Sequence, residues 1–131
     1  MASIHREVQL EVSAERAWSV LREVGRPHEA FAGVLTDATI EGDVRTVTFA
    51  NGMVARERIV DVDEERRRVA YSVQSAPFTH HHASMRIVAE GEGRSRFIWT
   101  SDFLPAELAP SVLPLIEAGC SAFSRNVIAK G

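Results

Sequence analysis

The chain has 131 residues and a mass of 14.5 kDa, with 45% hydrophobic and 25% charged residues. These are the proportions of one globular domain spanning residues 1–131, long enough to bury a core without a covalent staple. Its single cysteine, Cys120, excludes an intrachain disulfide and the multi-cysteine zinc modules, and a net charge of −3 excludes a domain-wide basic field for nucleic acid.

The charges are interleaved. The basic run Arg66, Arg67, Arg68 stands beside Asp61, Asp63, Glu64 and Glu65, which reads as a solvated turn. No apolar stretch approaches the ~20 residues of a membrane span. Residues 1–11 lack the apolar region of a signal peptide, so the cytoplasm is the expected compartment.

Residues 4–12 open the chain with Val8, Leu10 and Val12 alternating with Glu7, Gln9 and Glu11, the period of a half-wet strand. Ser13 is placed to cap a helix whose buried face is Ala14, Ala17, Trp18 and Leu21. Gly25 and Pro27 stop it, and Pro27 suits the start of a second short helix ending near Phe31. Six strand-like runs follow: residues 36–41, 44–50, 53–62, 69–74, 80–89 and 94–103. Short turn-rich connections separate them, which predicts an antiparallel meander. Asn51-Gly52 predicts a two-residue hairpin loop with positive φ at both positions.

Residues 106–130 read as a helix, with Leu108, Val112, Leu115, Ile116, Gly119, Phe123 and Val127 on one face. Pro110 and Pro114 conflict with a regular helix, so either its first turns are irregular or it begins near Ser111. The expected fold is α+β: a seven-stranded antiparallel curved sheet wrapped on a long C-terminal helix, with two short helices between the first two strands. Such a sheet can leave an unfilled pocket beneath the helix.

This layout resembles the START-like, helix-grip superfamily (SRPBCC), in particular its bacterial polyketide cyclase/dehydrase-type members. The resemblance rests on residues 8–18 (VQLEVSAERAW), 54–59 (VARERI), 91–95 (GEGRS) and 99–103 (WTSDF), and runs over residues 4–129. It implies an internal cavity for a small hydrophobic ligand. It also implies that Glu57 points inward, which would set Met53, Ala55 and Ile59 inside and Val54, Arg56, Arg58, Val60 and Val62 outside.

Alternation places Val69, Tyr71 and Val73 on the inner face of one strand, and Phe97, Trp99, Ser101 and Phe103 on that of another. In residues 80–89 the inner set is His81, Ala83, Met85 and Ile87. The expected ligand-binding residues are therefore Met53, Ala55, Glu57, Tyr71, Val73, His81, Met85, Trp99, Ser101, Phe103, Leu115, Gly119 and Phe123. Gly119 and Cys120 are small and leave room over the sheet, and Cys120 reads as an inert core thiol.

Glu57 has two readings: a pair with Arg56, Arg58 or His81, or a desolvated carboxyl acting as general base or orienting a ligand hydroxyl. Glu57, His81 and Tyr71 are the candidate catalytic residues. His80 and His82 share a strand face, but no third ligand stands at metal-site spacing, so a rim cluster is expected and no metal or cofactor is assigned. Phosphate-loop, dinucleotide and nucleophile-elbow motifs do not occur in the sequence.

Three functions remain: binding a lipid, polyketide or aromatic metabolite for transport, sensing or protection; cyclase, aromatase or dehydratase catalysis by cavity acids and bases; or an interaction role. The expected partner is a small hydrophobic molecule, with no nucleic acid and no membrane span. A homodimer stays open.

Overall fold

Alternation decides the first element. In the computed structural model, which describes residues 2–130, β1 (Ala2–Leu10) turns Ile4 and Leu10 into the core and Ser3, His5, Glu7 and Gln9 to solvent. Helix α1 (Ala14–Leu21) starts at Ser13, whose hydroxyl accepts the Arg16 N–H at 3.2 Å, and it buries Ala14, Ala17, Trp18 and Leu21. Pro27 opens the single turn α2 (Pro27–Ala30). Five strands follow without a helix: β2 (Leu35–Glu41), β3 (Val44–Phe49), β4 (Val54–Asp63), β5 (Arg68–Val73) and β6 (His80–Ala89). Then come β7 (Ser95–Leu104), a 3-10 turn over Ala106–Leu108, and α3 (Ala109–Lys130).

The sheet order is β1-β7-β6-β5-β4-β3-β2, with every neighbouring pair antiparallel. The meander thus runs from β2 back to β7, which lies against β1. The α1–α2 excursion carries the chain from one edge of the sheet to the other. Helix α3 covers the concave face, burying Ile116, Cys120, Phe123 and Val127 at three- and four-residue intervals.

Both prolines of α3 are accommodated near its start. The 3-10 turn makes the entry irregular, and Pro110 falls in the first helical turn, where its missing N–H has no partner to lose. Pro114 lies inside the helix and leaves the Pro110 carbonyl without the N–H that would normally reach it. The helix therefore begins at Ala109, earlier than Ser111, behind an irregular turn.

Two register details differ from expectation, and both shape the interior. The β3–β4 loop has three residues, Ala50, Asn51 and Gly52, because Phe49 pairs with Met53 through its N–H. Only Gly52 takes positive φ, at 90°. It is a three-residue hairpin of the bulged kind. In β4 the pairing with β5 slips between Ile59 and Asp61. That bulge at Val60 reverses the alternation, so Val62, expected outside, packs on the core opposite Val69.

Candidate functional site

The concave face and α3 do not fill the space between them. A cavity of about 180 Å³ remains. Arg45, Glu57 and Tyr71 from β3, β4 and β5 border one side of it, and His81, Met85, Trp99 and Ser101 from β6 and β7 another. Val112, Leu115 and Gly119 close it from α3. The β3–β4 hairpin contributes Met53 and Val54, which are 50% and 57% exposed, so this side of the cavity meets solvent.

The most polar feature is an ion pair. Arg45 and Glu57 stand directly opposite each other in the β3–β4 ladder. The Arg45 Nε–H donates to Glu57 Oε1 at 2.8 Å, and the two side chains are only 8% and 10% exposed. Arg45 Nη1 donates to the Val24 carbonyl at 3.0 Å, and its guanidinium carbon lies 5.3 Å from the centre of the Tyr71 ring. Each charge is thereby compensated in an apolar surround where an isolated one would be expensive.

Tyr71 is held in its neutral form: burial, and then the nearby Glu57 carboxylate, push its phenol well above the usual range. Trp99 stands beside the phenol and its buried indole N–H interacts with it, without the geometry of a well-formed hydrogen bond.

His81 owes its orientation to a gap in the sheet. Pairing between β5 and β6 ends at Tyr71 with Ala83, and the Val73 N–H donates to His81 Nδ1 at 3.0 Å instead of to a backbone carbonyl. With Nδ1 accepting, the neutral ring carries its proton on Nε2, 3.5 Å from the Ser101 hydroxyl. Burial, followed by the charges of His82 and His80, lowers its pKa from 6.5 to about 4.

The depressed pKa of His81 has a stability consequence. The unfolded chain takes up this proton near pH 6.5 and the folded chain only near 4. Its contribution is therefore complete above pH 6.5 and is lost as pH falls toward 4, by up to about 3 kcal/mol. The His81→Asn variant keeps an acceptor for Val73 and removes the titration. Urea unfolding at pH 7.5 and 5 is expected to show a smaller acid loss in the variant than in the parent; equal losses would refute the assignment.

Of the ligand residues expected from sequence, Met53, Ala55, Glu57, Tyr71, Val73, His81, Met85, Trp99, Ser101, Leu115 and Gly119 border the cavity. Phe103 and Phe123 do not; both are fully buried in the core. Phe103 sits behind Phe78, their ring centres 5.7 Å apart, and it is Phe78 that faces the cavity. Phe123 stacks on Phe97 at 4.5 Å and meets Phe31 at 5.5 Å. Only the first half of α3 spans the cavity, and Phe123 lies beyond it.

Gly119 also differs in detail. The room it leaves is taken by Trp99: a Cβ at this position would lie 2.6 Å from Trp99 Cζ3. The obstructing atom is the far end of a side chain that borders open space, so Gly119→Ala should turn the indole into the cavity. The helix gains about 1 kcal/mol of propensity and overpacking costs about 1–3 kcal/mol. The expected result is a small change in unfolding midpoint with a marked loss of hydrophobic-probe binding; undiminished binding would show that the indole moves elsewhere.

Arg45 was not among the residues expected in the site. Residues 44–49 alternate Val44, Thr46 and Thr48 with Arg45, Val47 and Phe49, and neither set is plainly apolar. The available signal was a cation on the strand preceding the hairpin, together with an inward Glu57 on the strand after it. Among the described residues, no three His, Cys, Asp or Glu side chains converge as a metal would require. The Cys120 thiol is buried, which raises its pKa to about 11.

A curved antiparallel sheet gripping a C-terminal helix around an internal cavity defines the helix-grip class. The chain belongs to the family described as polyketide cyclase / dehydrase and lipid transport, which it matches over residues 1–130. Its fold is similar to that of an uncharacterized protein from Bacillus thuringiensis, with a TM-score of 0.87, 17% identity, and coverage of 97% of this chain and 99% of that one. It is also similar to norcoclaurine synthase from Thalictrum flavum, solved with dopamine and hydroxybenzaldehyde, with a TM-score of 0.76, 20% identity, and coverage of 99% and 88%. A third similar structure is the di-domain ARO/CYC protein BexL of the BE-7585A biosynthetic pathway, with a TM-score of 0.80 and 11% identity. That match covers 97% of this chain and 46% of BexL. No curated protein matches the chain. Among the described residues, no helix is long and apolar enough to cross a membrane.

Proposed function

We propose that the protein binds a small hydrophobic or aromatic, polyketide-like molecule in the cavity between the sheet and α3, in order to transport, sense or protect it. The observation that carries this reading is the cavity of about 180 Å³, apolar over most of its wall, with polar groups at a few points. Family membership supports it. The cytoplasm is the proposed setting and the small molecule the proposed partner. The test is titration with a small neutral fluorescent hydrophobic probe such as Prodan or N-phenyl-1-naphthylamine. Saturable binding at one site, weakened in Gly119→Ala, is expected; no saturable binding by any probe would refute the reading.

A cyclase or dehydratase reading is favoured by one observation, the convergence of Glu57, Tyr71 and His81 on a single cavity. Norcoclaurine synthase and BexL, which share the fold, also place catalysis within reach of this architecture. Two features weaken it. Glu57 is engaged by Arg45, and His81 accepts a proton only at low pH. Both are better suited to positioning a ligand oxygen than to removing a proton at pH 7. Turnover of an aromatic aldehyde or polyketide mimic that disappears in Tyr71→Phe or His81→Asn would favour catalysis over carriage.

A further inference from the structure

From the polar groups of the cavity we infer its ligand class: a neutral one- or two-ring aromatic compound bearing a carbonyl or similar acceptor oxygen, rather than a carboxylate or a long-chain lipid. This inference rests on the cavity-binding reading above and narrows it.

Charge balance is the first support. The Arg45–Glu57 pair sums to zero, and among the described residues no other Asp, Glu, Lys or Arg borders the cavity. His81 and Tyr71 are both neutral near pH 7. An anionic or cationic ligand would therefore bring an uncompensated charge into an apolar space, at high cost. A neutral ligand brings none.

Donor supply is the second. Arg45 uses Nε on Glu57 and Nη1 on Val24, and its remaining N–H groups belong to a side chain that borders the cavity. His81 offers its Nε2 proton, held only loosely at 3.5 Å from Ser101. The Trp99 N–H is turned toward the Tyr71 phenol but makes no well-formed hydrogen bond to it. Against these, the Glu57 oxygen nearest Arg45 is already engaged. The Arg45 and His81 donors border the cavity together, so a ligand oxygen with lone pairs complements them.

Size is the third. About 180 Å³ is below the ~300–1,000 Å³ of drug-sized ligand pockets. An extended acyl chain or a four-ring polyketide exceeds this volume and would have to project into solvent past Met53 and Val54.

The experiment compares matched probes by ligand-observed NMR titration: 2-acetylnaphthalene, 2-naphthoate and 2-ethylnaphthalene. Methyl myristate, a neutral ester with a long chain, is assayed by native mass spectrometry. The ketone is expected to bind tighter than the carboxylate and the hydrocarbon by about tenfold or more. Tighter binding of 2-naphthoate would overturn the charge inference. Equal binding of ketone and hydrocarbon would overturn the acceptor inference. Stoichiometric methyl myristate with no bound ketone would overturn the size inference and leave cavity binding intact. No binding by any of the four, nor by the fluorescent probes, would instead remove the cavity-binding reading itself.

A specificity switch adds a second readout. In Glu57→Gln the amide oxygen can still accept from Arg45, but the pair then carries one net positive charge. The ratio of naphthoate to ketone affinity should rise about tenfold in this variant. An unchanged ratio would overturn the inference. If the variant does not fold, the four-probe comparison on the parent protein decides by itself.

Discussion

Replacing Arg45 with methionine should lower the unfolding free energy by about 3–5 kcal/mol, the usual result of stranding one member of a buried ion pair. The guanidinium and the Glu57 carboxylate touch at 2.8 Å with both side chains about nine-tenths buried, so solvent cannot replace the missing partner. The double variant Arg45→Met, Glu57→Leu leaves no buried charge, and it is expected to recover most of the loss or to exceed the parent. Urea denaturation of the parent, both single variants and the double variant forms a complete cycle. Single-variant losses below about 1 kcal/mol would match an exposed pair and contradict the burial. The double variant should at the same time lose the preference for an acceptor oxygen. Stability and selectivity then separate, as expected if the pair is kept for recognition and not for the fold.

Phe123→Ala should cost about 3–5 kcal/mol, the range for deleting a fully buried aromatic ring. Phe123 has no exposed surface, stacks on Phe97 at 4.5 Å and packs beside Phe31 at 5.5 Å. Phe123 itself does not border the cavity, so the hole it leaves is in the core behind Phe31. Met53→Ala provides the contrast: at 50% exposed it should change stability by no more than about 0.5 kcal/mol. Denaturation midpoints of the two variants check this directly. Similar losses would mean that the cavity edge is more tightly packed than its exposure indicates.

How the interior was misread from sequence traces to single register steps. A two-residue loop at Asn51-Gly52 would pair Ala50 with Met53 and bring Glu57 opposite Thr46. The observed three-residue loop pairs Phe49 with Met53 and brings Glu57 opposite Arg45. One residue of loop length therefore decides whether the buried carboxylate meets a hydroxyl or a guanidinium. Loop length at an Asn-Gly site depends on how the strands twist and close, which the dipeptide alone does not state. Val62 is a similar case. Its inward turn depends on the bulge at Val60, and an unbroken alternation sends it outward.

Helix α3 shows the same division. The spacing of Leu108, Val112, Leu115, Gly119 and Phe123 marks one face from sequence alone, and that face is the one turned to the sheet. Which part of it covers a void and which part covers core depends on the path of the helix across the sheet. Leu115 and Gly119 border the cavity; Phe123, one turn on, meets Phe97 and Phe31.

The order and kind of elements, the inward sets of β5, β6 and β7, and the inward turn of His81 were legible from residue order, because alternation and helical spacing are local properties of a chain. The resemblance added the inward carboxylate of Glu57. The partner of that carboxylate, the tautomer of His81, the use of Gly119 by Trp99 and the volume left empty were decided only by tertiary structure. Each depends on groups brought together from different strands or from α3, and on where ladder pairing ends, and no local pattern encodes that distance.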